Sequence, residues 1–340
     1  LRGKTILVTG GAGFIGSNFI HYVLGRYPDC RVVNLDKLTY AGNLDNLRAV
    51  ETDARYEFVQ GDICDKNLVR KIIGRVDGVV HLAAETHVDR SIMDAGAFVM
   101  TDFFGSFVLF EACRHAEMDF FIHVSTDEVY GSRTTGFFKE SDPLNPSSPY
   151  AASKAGADRL AHAYRVTYGL PIIIVRPSNN YGPYQYPEKF IPLFTSNALE
   201  DKTLPLYGKG LNVRDWLHVA DNCRAIDLII HRGTPGEVYN IGANEEIPNI
   251  EVAERIVALL GKSKSLIRLV SDRPGHDLRY ALDCQKIRNL GWKPERDFAG
   301  GLEQTVRWYQ QNSEWWIKIK ERSEEFKNFY HTYYRDRKSS

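Results

Sequence analysis

Four glycines fall within seven residues at Gly10-Gly11-Ala12-Gly13-Phe14-Ile15-Gly16, and their flanks narrow the possibilities further. The run Thr5 to Val8 is β-branched and apolar, the pattern of a short buried strand. The stretch after Gly16 is apolar-periodic to about Tyr27, the pattern of a helix. Strand, glycine turn and helix open a βαβ unit. Both Gly10/Gly13/Gly16 and Gly11/Gly13/Gly16 have dinucleotide-binding spacing. Without Cβ atoms the backbone approaches a pyrophosphate closely, and the helix N-terminus offers free N–H groups and a favourable dipole.

The same alternation continues. Arg31 to Leu35 reads as a second strand ending at Asp36, 20 residues past Gly16. A carboxylate there binds ribose hydroxyls and repels a 2′-phosphate, which predicts NAD rather than NADP; the neighbouring Lys37 pulls the other way. Tyr56 to Gln60 is a third strand, closed by Gly61-Asp62-Ile63. Asp77 to Leu82 is a fourth, ending in Ala83-Ala84-Glu85-Thr86, small residues against which a cofactor lies close to backbone. A long helix is expected over about Ala95 to Arg114, a fifth strand over Phe120 to Val124 and a sixth over Pro171 to Arg176. The prediction is an α/β fold with a Rossmann-type doubly wound parallel sheet.

Two stretches carry candidate chemistry. Ser125-Thr126-Asp127-Glu128-Val129-Tyr130-Gly131 follows the fifth strand, so a hydroxyl and two acids stand at a carboxyl strand end, where ligands bind in such sheets. The competing reading is a capped strand end before a loop. Pro149-Tyr150-Ala151-Ala152-Ser153-Lys154 heads another helix, with Tyr150 and Lys154 four apart on one face. An ammonium beside a phenol lowers the phenol pKa and makes Tyr150 a candidate base. His81 and His87 read as packing or hydrogen-bonding residues, with no third ligand at zinc spacing and no metal expected.

Beyond the sixth strand, turn and polar residues dominate: Asn179-Asn180-Tyr181-Gly182-Pro183, Pro187-Glu188-Lys189, Leu204 to Gly208, Arg214-Asp215-Trp216, Asn249, and Asp272-Arg273-Pro274-Gly275-His276-Asp277. Amides, cations and an aromatic suit a diphosphate and a flat base. Glu237 to Ile241 looks like another strand, so the two parts interleave. We expect a dinucleotide-binding domain over 1–178 plus about 215–242. A smaller C-terminal substrate-binding lobe is expected over 179–214 and 243–325, with a helical tail over 326–340. In that tail Phe326, Phe329, Tyr330, Tyr333 and Tyr334 form one aromatic stripe, read as docking on its own lobe or on a partner subunit.

Composition removes several classes. Lys+Arg and Asp+Glu are balanced at 43 each, which excludes a general polyanion binder. Five scattered cysteines without a Cys-x-x-Cys pair argue against a disulfide framework and fit a reducing compartment such as the cytoplasm. No apolar run is read as membrane-spanning, and no signal peptide is expected.

With these residues assembled, the chain resembles the extended short-chain dehydrogenase/reductase family, and within it the dTDP-glucose 4,6-dehydratases, from Gly10 to about Trp308. The most specific stretches are Asp36 to Asn43, His87-Val88-Asp89-Arg90-Ser91, Ser125 to Gly131, Asn179 to Pro183 with Pro187 to Lys189, and Asp272 to Asp277. The paired acids separate these dehydratases from sugar epimerases and decarboxylases. The resemblance implies that Gly10, Gly11, Gly13, Phe14 and Ile15 hold the NAD pyrophosphate. Asp36, Lys37, Leu38, Thr39, Asp62 and Ile63 would contact the adenosine half. Leu82, Ala83, Ala84, Thr101, Tyr150, Lys154 and Asn180 would complete the cofactor site. The nucleotide sugar would be held by Thr86, Thr126, Asn179, Lys189, Phe190, Pro205, Leu206, Tyr207, Arg214, Asn249, Asp272, Arg273, Pro274, Gly275 and His276.

The implied reaction is dehydration to a 4-keto-6-deoxy sugar, with Tyr150 and Lys154 serving oxidation at C4, Thr126 bonding that oxygen, Glu128 as C5 base and Asp127 as acid. The implied assembly is a homodimer through helices near 95–114 and 151–168. The family usually has Asn and Gly-Thr where this chain has Asp102 and Gly105-Ser106. A carboxylate there weakens NAD binding, shifts a pKa, or faces solvent without effect. A dehydratase for another nucleotide such as UDP-glucose, a nucleotide-sugar epimerase and a non-catalytic NAD-binding regulator are the alternatives. The last would be marked by loss of Tyr150 or Lys154, and both are present.

Overall fold

The computed structural model describes residues 1–322, 324, 326 and 327. Its first six strands are β1 (Thr5–Thr9), β2 (Arg31–Asp36), β3 (Tyr56–Gln60), β4 (Gly78–His81), β5 (Phe120–Val124) and β6 (Ile172–Pro177). Then come β7 (Asn179–Tyr181), β8 (Leu204–Tyr207), β9 (Val213–His218), β10 (Val238–Ile241), β11 (Glu246–Pro248) and β12 (Ile267–Val270). The first six helices are α1 (Phe14–Arg26), α2 (Lys66–Ile73), α3 (Val88–Met93), α4 (Ala95–Phe98), α5 (Ser106–Cys113) and α6 (Pro149–Tyr168). After them lie α7 (Phe190–Leu199), α8 (Val219–Arg232), α9 (Asn249–Leu259), α10 (Gln285–Asn289), α11 (Phe298–Gln311) and α12 (Ser313–Arg322).

Among the described residues, seven strands form one parallel sheet in the order β10-β6-β5-β4-β1-β2-β3. The chain runs outward from β1 to β3, then returns to lay β4 on the other side of β1. That reversal opens a crevice at the carboxyl ends of β1 and β4, the ligand position of doubly wound sheets. Alternate residues serve opposite faces. Ile6 and Val8 pack in the core beneath α1 and α8, while Leu7, Val33 and Phe121 pack in the core beneath α2, α5 and α6. Each such side chain, fully removed from water, contributes roughly 1.5–3 kcal/mol. Smaller sheets, β11-β9-β7 and β12-β8, build the opposite wall of the crevice.

The strands match their sequence expectations to within a residue or so. The helix expected over Ala95 to Arg114 is divided: between α4 and α5 a π-helical segment spans Val99–Gly105. The absence of a membrane-length apolar run is also corrected. Ala95–Cys113 is one helical run of 19 residues with mean hydropathy 1.4, long and apolar enough on those measures. It packs instead against α2 and α6 and buries Asp102, a carboxyl hydrogen-bonded within the protein.

The glycine turn has no spare volume. A Cβ on Gly16 would lie 2.2 Å from the Gly10 carbonyl oxygen and 2.7 Å from Gly11 Cα, both backbone. Gly16→Ala is therefore expected to destabilise the protein by about 1–3 kcal/mol or more through overpacking, read as a lower Tm in thermal denaturation.

The chain's last described helix returns to its beginning. Trp315 Nε1 donates to Asn46 Oδ1 at 2.8 Å, and Lys318 pairs with Asp45. Ile319 and Phe326 pack with Tyr186, against Tyr40, Ala41 and Trp315. Thus α12 clasps the segment that follows β2. Of the aromatic stripe expected in the tail, Phe326 docks on its own chain; Phe329, Tyr330, Tyr333 and Tyr334 lie outside the described residues.

Candidate active site

The crevice holds a cleft of about 410 Å3. One end is the glycine turn. Helix α1 starts after Gly13 with no side-chain cap, so its first N–H groups point at the cleft unclaimed. Asp36 Oδ2 accepts from Ala12 N at 2.9 Å and Oδ1 from Leu38 N at 2.8 Å, which fixes the carboxylate beside the turn. Lys37 Nζ is held by Asp62 at 2.7 Å rather than left free for a phosphate. Gly10 lies so close to Ala83 that a Cβ would meet its backbone at 2.7 Å.

At the centre, Tyr150 and Lys154 project from α6 and Thr126, Asp127 and Glu128 from the turn after β5; all five line the cleft. Ser148 caps α6 by accepting from Ala151 N at 3.1 Å, and Pro149 opens its first turn, so the local sequence fixes where Tyr150 begins. Thr126 caps the following 3-10 turn, accepting from Glu128 N at 3.3 Å, and its own hydroxyl donates to Asp127 Oδ1 at 3.2 Å. Asp127 Oδ2 is buried with no hydrogen-bond partner among the described residues.

The two acids are electrostatically unlike. Burial, reinforced by the Glu128 charge, pushes the Asp127 carboxyl well above the usual carboxylate range. Burial also raises Glu128, but Arg273, Arg214 and Lys189 all oppose that and favour its ionised form. Both carboxyls are thus raised by burial, Asp127 strongly, while three cations hold Glu128 toward its ionised form.

One expectation is corrected. Tyr150 is raised, not lowered: burial dominates, and the charges of Glu128 and Asp102 add to it, with a Thr126 hydrogen bond in opposition. Lys154 donates its proton to Val124 O at 2.8 Å rather than to the phenol.

The far end carries the cations. Lys189, at the start of α7, donates to Thr86 Oγ1 at 3.1 Å. Arg214 lies over the Tyr280 ring at 4.4 Å, and Arg273 pairs with buried Asp89 at 3.1 Å, where Tyr207 also donates. The side-chain oxygens of Asn179, Asn180 and Asn249 are buried beside this cavity without partners among the described residues.

Most residues expected at the site line this one cleft: Gly10, Gly13, Phe14, Ile15, Asp36, Lys37, Thr39, Asp62, Ile63, Leu82 to Ala84 and Thr101 toward the glycine turn. Thr86, Asn179, Asn180, Lys189, Phe190, Pro205 to Tyr207, Arg214, Asn249, Arg273 and His276 follow toward the far end. Five do not line it. Gly11 is pressed against Asn34 and Ile20, Leu38 packs into the core, and Asp272 holds His276 at 2.6 Å from outside, next to Pro274 and Gly275. Residues without an individual role in the sequence reading also line the cleft: Tyr40, Glu85, Asp89, Gln185, Tyr186, Glu188, Trp216 and Tyr280. Asp89 and Glu188 lie within sequence stretches that carry the family resemblance; the signal for their burial is the arginine each one pairs, Arg273 and Arg90.

A sequence model of the GDP-mannose 4,6 dehydratase family matches residues 7–305. The chain belongs to this dehydratase family. A dTDP-glucose 4,6-dehydratase of Streptomyces niveus is 51% identical over 320 residues, 93% of this chain and 95% of that one. The low-salt glycan biosynthesis protein Agl12 of Haloferax volcanii is 50% identical over 304 residues, 89% and 98% of the two chains. The crystal structure of the dTDP-glucose 4,6-dehydratase DesIV of Streptomyces venezuelae, with NAD and dTDP bound, matches with a TM-score of 0.91 at 52% identity, over 93% and 99%. A UDP-glucuronic acid 4-epimerase of Bacillus cereus reaches 0.86 at 30% identity, over 90% and 99%. The fold of the dehydratase family is therefore shared with epimerases, and its side chains carry the distinction.

Proposed function

We propose that this chain dehydrates dTDP-glucose to dTDP-4-keto-6-deoxyglucose, a reaction of deoxysugar biosynthesis, with NAD bound at the glycine turn. The observation that carries this is the unlike pair Asp127 and Glu128 facing Tyr150 across one cleft. The cofactor fits what the residues offer: a cradle at Gly10 that a Cβ would fill, uncapped N–H groups on α1, and Asp36 with Lys37 withdrawn onto Asp62.

When bound, NAD supplies a positive charge and a hydride acceptor for sugar carbon C4, and gives the hydride back at C6. The residues manage the protons. With its phenol ionised beside that positive charge, Tyr150 would take the proton of the 4-hydroxyl, whose oxygen Thr126 Oγ1 hydrogen-bonds. The resulting 4-ketone acidifies C5. Glu128 removes the C5 proton, Asp127 delivers its own to the 6-hydroxyl, and that group leaves as water. Glu128 then returns a proton to C5. Lys189, Arg214 and Arg273 bind the diphosphate, and Asn179 and Asn249 bring partnerless acceptors to the nucleotide end. The cofactor body corresponds to 1–178 with about 215–242, and the substrate lobe to 179–214 with 243–325.

The test is mass spectrometry of the purified protein with dTDP-glucose and, in parallel, UDP-glucose. Loss of one water from the thymidine compound without net reduced nicotinamide is the expected result. Unchanged dTDP-glucose with NAD still bound refutes the assignment.

We further propose a homodimer formed through α3 to α6, in the cytoplasm, where the five free cysteines stay reduced. Its support is an exposed apolar face carrying Met93, Val99, Met100 and Phe103, with Val166 and Tyr168 on α6. Wild type is expected to sediment as a dimer and Met100→Asp as a monomer with unchanged circular dichroism.

A further inference from the structure

Asp102 sits in the middle of the π-helical segment and is 1% exposed. Its Oδ1 accepts from Glu85 N at 2.8 Å, on the loop after β4 that lines the cleft. Its Oδ2 stands 2.7 Å from Ser153 Oγ, and that hydroxyl is also 2.8 Å from the carbonyl oxygen of Tyr150. Ser153 directly precedes Lys154. Behind, the Asp102 carbonyl accepts from Ser106 Oγ, His81 Nε2 lies 3.0 Å from that hydroxyl, and His81 Nδ1 lies 2.7 Å from Thr9 Oγ1. A buried polar chain thus runs from the end of β1 to the first turn of α6, and the reaction described above uses none of it.

We propose that Asp102 is a positioning residue for the Tyr150–Lys154 couple, setting through Ser153 and through its own charge how tightly the phenol holds its proton. This rests on Tyr150 being the base of the reaction above. The serine hydroxyl has one proton and two acceptors. With Asp102 ionised, Ser153 donates to the carboxylate. With Asp102 protonated, the carboxyl donates to Ser153, whose own proton turns to the Tyr150 carbonyl. The two protonation states therefore differ in how the turn carrying Tyr150 is tied down.

Two charges act most strongly on this carboxyl. Lys154 on α6 favours its ionised form, and Glu85 on the loop after β4 opposes it. Tyr150 on α6 feels its charge directly. His81 on β4 reaches it only through Ser106, and burial keeps that imidazole neutral. Asp158 acts on Lys154 from within α6, and Glu128 and Asp127 act on Tyr150 from the turn after β5. Burial raises the Asp102 carboxyl to about 7. Below that pH it is neutral and its own opposition to phenol ionisation is gone, leaving that of burial, Glu128 and Asp127. Above it, the new carboxylate makes the phenol harder to ionise. The two groups titrate as a coupled pair.

The experiment is an ultraviolet difference titration of the NAD-bound protein, with Tyr150→Phe as the blank that isolates this phenol. Wild type is expected to ionise this phenol in one step, with Asp102 already a carboxylate across it. Asp102→Asn, an isosteric and permanently neutral replacement, is expected to show one step with its midpoint lower by about half a pH unit or more. Asp102→Ser carries the same test with a smaller neutral group. The acid limb of the kcat/KM profile moves in the same direction. Superimposable titrations in wild type and both variants overturn the proposal, and a merely structural role predicts that result. Because the phenol is read without substrate, failure of dTDP-glucose turnover is seen separately and condemns the reaction rather than this coupling.

Discussion

Tyr150→Phe is expected to lower kcat for loss of water from dTDP-glucose by about 10²–10⁴-fold, with KM left near its wild-type value. Phe keeps the ring that meets Phe98 edge-on at 6.1 Å and removes only the hydroxyl. The cations proposed to bind the diphosphate, Lys189, Arg214 and Arg273, would be untouched, so binding is expected to be spared. Progress curves followed by mass spectrometry check both quantities. A rise in KM with kcat unchanged would mean that the phenol binds substrate rather than taking its proton.

The second large effect separates the two acids. Asp127→Asn and Glu128→Gln are each expected to reduce dehydration by about 10²–10⁴-fold, yet to differ in what remains. In deuterated water, Asp127→Asn still lets Glu128 remove and return the C5 proton, so deuterium enters the recovered sugar at C5. Glu128→Gln leaves no base, and C5 stays protiated. Mass spectrometry and proton NMR of recovered sugar read the difference. Exchange in the Glu128 variant but not in the Asp127 variant would invert the assignment. The asymmetry follows from surroundings: Asp127 is shut away from water beside a like charge, while Glu128 meets Arg273, Arg214 and Lys189.

Much of this site is local in the chain and therefore legible from sequence. The glycine turn, Asp36, the acid pair and the Tyr150–Lys154 spacing each lie within one element, and each occupies the cleft as expected. What was not legible depends on distant partners. The cations that favour the ionised form of Glu128 come from positions 189, 214 and 273, and no local pattern relates them to residue 128. The phenol's shift depends on how deeply the finished fold buries it, a quantity that an i, i+4 spacing does not contain. The π-helical segment hides inside an apolar run whose periodicity reads as ordinary helix, and Asp102 within it has no signal of burial until Glu85 and Ser153 close on it. Gly11 satisfies a phosphate spacing yet serves packing against Asn34 and Ile20, because a close approach between protein atoms also selects glycine.

The helix α12 gives this architecture an order in time. The segment after β2 covers one end of the cofactor cleft, and its clasp, Trp315 on Asn46 and Lys318 on Asp45, comes from residues translated more than two hundred positions later. During synthesis the sheet and its glycine turn are made before the clasp, so that segment stays untethered at Asp45 and Asn46 until the chain is nearly finished. A chain cut short before Ser313 would keep every residue that lines the cleft and lose this tether.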